Sequence, residues 1–150
     1  MYHFIIKRIA KKSFELVNEH RYAELIEGMA LDVHHRFAGD HALGGSRNDR
    51  AAVTAWLERL GRLMPNLQLT ITNIIVDGWP NNTRAVVQWD ATATLKNGEP
   101  YQNRGVHIIK VKWGKAVSLD VYEDSQTVAN ALEKQFQSGI EEAKAGQIIS

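Results

Sequence analysis

Three carboxylates lie close together within VSLDVYEDSQTVANAL, residues 117–132, where a strand-like pattern changes to a helix-like one: Asp120, Glu123 and Asp124. A carboxylate whose pKa is raised by apolar surroundings can take a proton from carbon near neutral pH, so one of them could be a general base. A structural role is the alternative, because Asp124 or Ser125 could accept hydrogen bonds from the free N–H groups of the helix that follows. The sequence favours capping for Asp124 and leaves catalysis open.

The direction of these acids depends on the strand that carries them. Side chains alternate across a strand, so the pattern predicts Asp120, Tyr122 and Asp124 on one face and Glu123 on the other. If the first face points into a cavity, Asp120 is a second candidate base and Tyr122 contacts the ligand. The alternative for Asp120 is a strand position that faces solvent.

Histidines and aromatic residues supply the remaining candidates. His34 and His35 are adjacent in LDVHHRF, a predicted strand, so one of them faces inward and could act as an acid, a base or a hydrogen-bond donor. A satisfied, partly buried histidine is the default for both and for His107. The side chains predicted to contact a ligand are His107, Trp89, Trp56, Phe37, Tyr101 and Tyr122. The spacing of these residues does not indicate the three or four convergent ligands of a metal site, and we expect no metal and no organic cofactor.

The glycine-rich stretch GDHALGG, residues 39–45, predicts a loop before a helix. Ser46 is the predicted N-cap of that helix, with Asp49 three residues on in a box-like position. Arg47 and Arg50 would then lie in a solvated first turn. The alternative for them is anion binding at the helix N-terminus.

Periodicity indicates the elements that position these residues. Helical spacing predicts helices at about 3–19, 21–29, from Ser46 to Pro65, and 125–140, the last with Val128, Leu132, Phe136 and Ile140 on one side. Runs rich in β-branched and aromatic residues predict strands at 31–37, 67–76, 83–95, 101–113 and 116–122. Short turns between the last four strands favour an antiparallel, mostly meandering sheet, and the tail after Gly139 is expected to fray. This order predicts the α+β class and a single domain over residues 1–150.

Composition limits the partners. The formal net charge is +1, so no global field favours nucleic acid or an acidic membrane, and no apolar run approaches the roughly 20 residues that span a bilayer. The absence of cysteine excludes disulfides and thiol nucleophiles. We expect a cytoplasmic protein that binds neither nucleic acid nor membrane.

Three stretches, together with the two opening helices, resemble the NTF2-like superfamily, specifically its SnoaL-like (polyketide cyclase-like) branch. They are FAGDHALGGSRNDRAAVTAWLERL (37–60), TRAVVQWDATATLKNGEPYQNRGVHII (83–109) and KVKWGKAVSLDVYEDSQTVANAL (110–132), so the match covers about residues 3–135. The resemblance implies a cone, in which a curved antiparallel sheet wraps around a pocket closed by the N-terminal helices. It also implies a homodimer through the outer face of the sheet.

The same resemblance implies a function. Asp124 corresponds to the acid that ends the final strand in SnoaL-like cyclases, where it looks like a general acid/base, and His34 or His35 would support it. The implied activity is cofactor-free acid/base chemistry, of the cyclase or isomerase kind, on a small apolar carbonyl compound. The implied partner is a small apolar or aromatic molecule inside the cone. The alternative is a non-catalytic module of the same fold that binds a hydrophobic ligand or only dimerises.

Overall fold

Four α-helices, six strands and a short 3₁₀ helix make up the protein, which a computed structural model describes over all 150 residues. In chain order the elements are α1 (Tyr2–Asn18), α2 (Tyr22–Glu27), β1 (Met29–Phe37), β2 (Gly45–Arg47), α3 (Arg50–Leu63), β3 (Gln68–Trp79), β4 (Asn82–Thr94), β5 (Pro100–Lys112), β6 (Lys115–Glu123), α4 (Ser125–Gln137) and the 3₁₀ helix (Glu141–Lys144). The predicted α+β class and the predicted order of the main elements are confirmed. No helix is both long enough and apolar enough to cross a membrane.

The six strands form one curved sheet in the order β2-β1-β6-β5-β4-β3. Strands β3 to β6 form the predicted antiparallel meander. The prediction is incomplete for β1, which pairs parallel to β6 and places His35 opposite Leu119. This parallel pairing is possible because the rest of the chain, including α3 and the meander, connects the two strands. A further short strand, β2, lies at the end of the predicted loop and pairs with β1.

Helices α1 and α3 line the inner side of the curved sheet. Their buried residues follow the helical period that predicted them, with Ile6, Ala10 and Phe14 in α1 and Val53 and Leu57 in α3. The start of α3 differs from the prediction, because its N-cap is Asp49, which accepts a 2.8 Å hydrogen bond from the N–H of Ala52. Ser46 lies in β2 instead. The predicted stop before Pro65 is confirmed, since α3 ends at Leu63.

The buried stripe of α4 is Val128, Ala131, Leu132 and Gln135. The predicted stripe runs in steps of four residues through Phe136, which is 37% exposed, to Ile140, which lies beyond the last residue of α4. Each step of four residues turns a helix about 40° beyond one full turn, so a run of such steps leaves the buried face. The buried face follows the mixed steps of three and four residues that keep side chains in register.

The C-terminal tail is packed against α3 and β2 rather than frayed as predicted. Arg59 donates a 2.7 Å hydrogen bond to the carbonyl oxygen of Gly146 and lies beside Glu142, which also pairs with Arg62. Asn48 donates to the carbonyl oxygen of Ser150 at 2.9 Å. The arginines of α3 therefore supply the polar partners that hold the tail in place.

Candidate functional site

A cavity of about 190 Å³ lies between the sheet and helices α1 and α3. Of its 32 lining residues, 26 are hydrophobic, so its few polar groups must provide any chemistry. The cavity opens to solvent beside Ile9, Gly28 and Gly114, which line it and are exposed.

Glu123 is the acid in this cavity. Leu119 and Val121 on β6 are buried and line the cavity, and alternation places Glu123 on the same face. Burial raises the pKa of Glu123 to about 8, and the nearby charge of Asp124 adds to the effect. No hydrogen bond to its carboxylate offsets that rise. The site therefore holds a carboxyl group that exchanges its proton near neutral pH.

The strand face that carries Asp120, Tyr122 and Asp124 points away from the cavity, which leaves the candidate base Asp120 and the predicted ligand contact Tyr122 outside it. None of the three lines the cavity, and Tyr122 is 41% exposed. The reason is the alternation of apolar side chains on β6, because Leu119 and Val121 must face the core, which turns Asp120 and Tyr122 outward. Asp120 is half-buried on the outer face of the sheet, which agrees better with the solvent-facing alternative than with a base in the cavity.

Asp124 caps α4. Its Oδ1 accepts hydrogen bonds from the N–H groups of Thr127 at 3.2 Å and Gln126 at 3.0 Å. These bonds, those from Thr127 first, hold the pKa of Asp124 below its ordinary value. Its carboxylate is thus ionised and occupied by a helix end, as the capping interpretation predicts, and it lies outside the cavity.

Of the two adjacent histidines, His35 faces the cavity. Its Nδ1 lies 2.7 Å from Nη1 of Arg47, and its ring packs 4.6 Å from the ring of Trp56. Burial, then the charge of Arg47, keeps the pKa of His35 well below its ordinary value. His34 points the other way, where its Nδ1 lies 2.7 Å from Oδ1 of Asn48.

His107 is the second cavity histidine. Its Nδ1 accepts a 2.7 Å hydrogen bond from Nε1 of Trp89, and burial lowers the pKa of His107 to about 4. Gly105 makes room for that indole, because a Cβ there would overlap the Trp89 ring and lie 2.7 Å from the backbone oxygen of Tyr122. A residue without a side chain on β5 therefore positions the partner of His107.

The partners of both imidazoles determine where their protons lie. A guanidinium and an indole N–H can only donate, so Nδ1 of His35 and Nδ1 of His107 must both accept. A neutral imidazole then carries its proton on Nε2. No protein group bonds to either Nε2, and both rings line the cavity. The cavity thus contains two neutral N–H donors and one carboxyl group.

The strand register gives the relative positions of these groups. On β5, His107 pairs with Val121, and Gly105 pairs with Glu123. His107 and Glu123 are therefore diagonal neighbours on adjacent strands, a relation that typically separates residues by about 7–8 Å. His35 lies on β1, across β6 from β5, where it pairs with Leu119.

Three of the other predicted ligand contacts also line the cavity: Trp56, Phe37 and Tyr101. Trp56 donates from Nε1 to the carbonyl oxygen of Leu43 at 2.7 Å. The hydroxyl of Tyr101 accepts a 3.0 Å hydrogen bond from Asn103, and burial, with Glu123 as a second cause, raises the pKa of Tyr101. The Tyr101 hydroxyl therefore stays neutral and keeps a proton to donate.

Sequence reasoning missed two residues, Glu123 and Arg47. A signal for Glu123 was present, because Leu119 and Val121 share its strand face and mark that face as apolar. Arg47, expected in a solvated turn, is 0% exposed. Its burial depends on the tail and on β1, and no local pattern indicates it. No three His, Asp or Glu side chains converge as metal ligands.

Comparison with known proteins gives the family and the fold. A family model described as the SnoaL-like domain matches residues 10–119. No curated protein sequence matches the chain.

Among solved structures, an NTF2-like protein of unknown function from Burkholderia pseudomallei is 19% identical, with a TM-score of 0.73 over 83% of this chain and 95% of that one. An NTF2-like protein from Burkholderia xenovorans is 22% identical, with a TM-score of 0.64 over 83% and 92%. TerC, co-crystallised with polyporic acid, is 19% identical, with a TM-score of 0.70 over 81% and 92%. These likenesses confirm the predicted NTF2-like cone.

Proposed function

Because the chain belongs to the SnoaL-like domain family, we propose that it catalyses proton transfer at carbon in a small apolar carbonyl compound. Glu123 is the proposed general base and acid, in place of Asp124. His35 and His107 are the proposed donors to the carbonyl oxygen. One observation carries the proposal: a half-buried carboxyl group without a hydrogen-bond partner shares an apolar cavity with two neutral Nε2–H donors.

The chemistry follows from these groups. Ionised Glu123 takes a proton from the carbon beside the carbonyl, the electron pair of that C–H bond forms a C=C bond, and the π pair of the carbonyl moves to its oxygen to give an enolate. The Nε2–H of His35 or His107 donates to that oxygen, whose charge develops in the transition state. Glu123 then returns the proton to another carbon, which is an isomerisation, or the enolate carbon attacks a second carbonyl, which closes a ring.

The electrostatics of the cavity suit these roles. A pKa of about 8 leaves Glu123 partly ionised at neutral pH and gives it a strong affinity for a proton. The lowered pKa values of both histidines keep them neutral, so each can donate without adding a charge that the walls must bury.

The proposed ligand is a small apolar or aromatic molecule. The mostly hydrophobic lining, with aromatic rings from Trp56, Trp89 and Phe14, favours a flat apolar body. The co-crystallisation of TerC with polyporic acid supports a small-molecule ligand for this fold. We propose that the protein binds neither nucleic acid nor a membrane.

Binding without chemistry is the second candidate function. The observation that favours it is the same lining, because 26 hydrophobic residues would hold an apolar ligand without any proton transfer.

We also propose a homodimer through the outer face of the sheet and a cytoplasmic location. Exposed apolar side chains support the dimer: Ile75, Trp79, Trp113 and Tyr122.

A test of the function uses a panel of small cyclic and aromatic ketones in D₂O, with deuterium uptake followed by mass spectrometry. We expect uptake with the wild-type protein and a loss of about 10²–10⁴-fold in Glu123→Gln, because the base is gone. Asp124→Asn is the matched control, since asparagine also caps helices and the side chain lies outside the cavity. This control should keep the wild-type rate.

Two results would count against the proposal. Undiminished deuterium uptake in Glu123→Gln would exclude Glu123 as the base. Ketones that bind in the cavity but never exchange would favour the binding module.

A further inference from the structure

Arg47 is a buried cation without an anionic partner. It is 0% exposed, and its guanidinium donates three hydrogen bonds: Nε to the carbonyl oxygen of Ile148 at 2.9 Å, Nη2 to that of Gly44 at 2.9 Å, and Nη1 to Nδ1 of His35 at 2.7 Å. Burial lowers the pKa of Arg47 to about 10, so it remains charged at neutral pH. No carboxylate forms an ion pair with it.

Such a charge is expensive to bury, so its role needs an explanation. Attachment of the tail is one, because Arg47 binds Ile148. Arg59 also holds the tail, since it donates to the carbonyl oxygens of Ala42 and Gly146, but its charge is compensated by an ion pair with Glu142. What separates Arg47 is its third bond, which ends on a ring that lines the cavity.

That bond has two consequences for His35. The guanidinium occupies Nδ1, which leaves the ring proton on Nε2, toward the cavity. Its positive charge also draws electron density from the ring, which makes Nε2–H a stronger donor to a negatively charged oxygen. His107 has the same tautomer, but its partner is the neutral indole of Trp89. The two N–H donors therefore differ in the partner of their Nδ1 atoms, which is a cation for His35 and a neutral group for His107.

We propose that Arg47 is a positioning residue that makes the His35 end of the cavity an oxyanion site. The ligands it would select are compounds that bind as enolates or phenolates, with the charged oxygen on Nε2 of His35. This rests on the proposed function, because it names which of the two donors receives the enolate oxygen and what class of compound the site prefers.

Phenols test the inference without turnover. Ultraviolet absorption distinguishes a bound phenol from a bound phenolate, and Glu123→Gln provides the background, since it removes the competing carboxylate. In this background we expect the ratio of phenolate to phenol to be at least about tenfold higher when bound than when free at the same pH. Arg47→Met, made in the same background, should abolish that preference, and Arg47→Lys should restore part of it.

Arg59→Met is the matched control, because it removes an arginine that holds the tail but touches no histidine. We expect it to keep the phenolate preference. Equal loss in Arg59→Met and Arg47→Met would assign the effect to the tail and overturn the proposal. So would a bound phenol that stays as neutral as it is in solution.

Arg47→Met could fail to fold, and a measurement on the wild-type protein covers that case. Nitrogen-15 NMR of the histidine rings reports which ring nitrogen carries the proton. We expect the proton of His35 on Nε2, and a proton on Nδ1 would overturn the proposal. The two proposals can fail independently. Phenolate preference together with undiminished deuterium exchange in Glu123→Gln would reject only the proposed function. Loss of exchange in Glu123→Gln without any phenolate preference would reject only the oxyanion site.

Discussion

Glu123 and Asp124 are adjacent in the chain, yet their carboxyl groups meet opposite environments. Glu123 ends β6 on the cavity side, where burial raises its pKa to about 8. Asp124 begins the turn into α4, where hydrogen bonds from helix N–H groups hold its pKa below the ordinary value. One acid is prepared to exchange a proton, and the other is prepared to stay ionised.

The contrast shows that side-chain direction, more than residue type, assigns the chemistry at this junction. A step of one residue moves a carboxyl group from an apolar cavity to a solvated helix end. His34 and His35 repeat the contrast on β1, where only His35 faces the cavity. Changes that exchange or remove these environments should therefore have effects of predictable size and sign.

The largest expected effect is on stability between about pH 4.5 and pH 8, the range that separates the pKa of Glu123 in the unfolded chain from its pKa in the folded protein. The folded protein keeps the proton of Glu123 up to about pH 8, whereas the unfolded chain releases it near 4.5, so wild-type stability falls as pH rises between these values. Glu123→Gln lacks this loss and should gain on the order of 3 kcal/mol over the wild type across that window. Chemical denaturation at a series of pH values measures the difference. Asp124→Asn keeps Glu123 and should show nearly the same fall in stability, with a slightly lower midpoint because the charge of Asp124 adds to the raised pKa of Glu123. A difference for Glu123→Gln that stays constant with pH would contradict the assignment.

The pH dependence of deuterium exchange distinguishes the two acids as bases. If Glu123 is the base, kcat/KM should rise about 100-fold from about pH 6 to a plateau above the pKa of Glu123, at about 8. A base with the lowered pKa of Asp124 would already be ionised throughout that range. A flat profile would therefore remove Glu123 from the mechanism.

Gly105→Ala changes the cavity near Glu123 and leaves the helix cap at Asp124 in place. The added Cβ would overlap Trp89 and the backbone oxygen of Tyr122, so the indole and the strand pair must shift, and we expect a loss of about 1–3 kcal/mol of stability. Denaturation followed by tryptophan fluorescence measures the loss. Gly146→Ala, where a Cβ would meet open space, is the control. Wild-type stability in Gly105→Ala would show that the strand pair tolerates the side chain.

Asp124→Ala should have the smallest effect. It removes the acceptor for the N–H groups of Gln126 and Thr127, so the melting temperature should fall slightly, while Asp124→Asn should keep it. Thermal unfolding followed by circular dichroism measures both. Abolished deuterium exchange in a folded Asp124→Ala protein would return the catalytic role to Asp124.

The sequence predicts the elements well because their periodicity is local. The stripe of α3 and the alternation in β4 and β5 predict helices and strands close to their observed bounds. The alternation on β6 correctly separates Glu123 from Asp120 and Tyr122, but Leu119 and Val121, rather than the acids, decide which of the two faces meets the cavity. Apolar alternation decides a strand's direction, since the apolar side chains gain most from burial.

Features that depend on distant contacts could not be predicted. The burial of Arg47 requires Ile148, about one hundred residues along the chain, and the pairing of β1 with β6 joins the two ends of the domain. The tail has no strong apolar period of its own, and its order comes from partners on α3. Local patterns carry no information about such partners.

The most direct test of the account is the pKa of Glu123 itself. Carbon-13 NMR of the side-chain carboxyl groups, titrated with pH and assigned by the signal that Glu123→Gln lacks, gives that value without any substrate. The account predicts a midpoint of about 8 for Glu123. A midpoint near the ordinary 4.5 would mean that the carboxyl group is solvated or paired, and would contradict a desolvated base in the cavity.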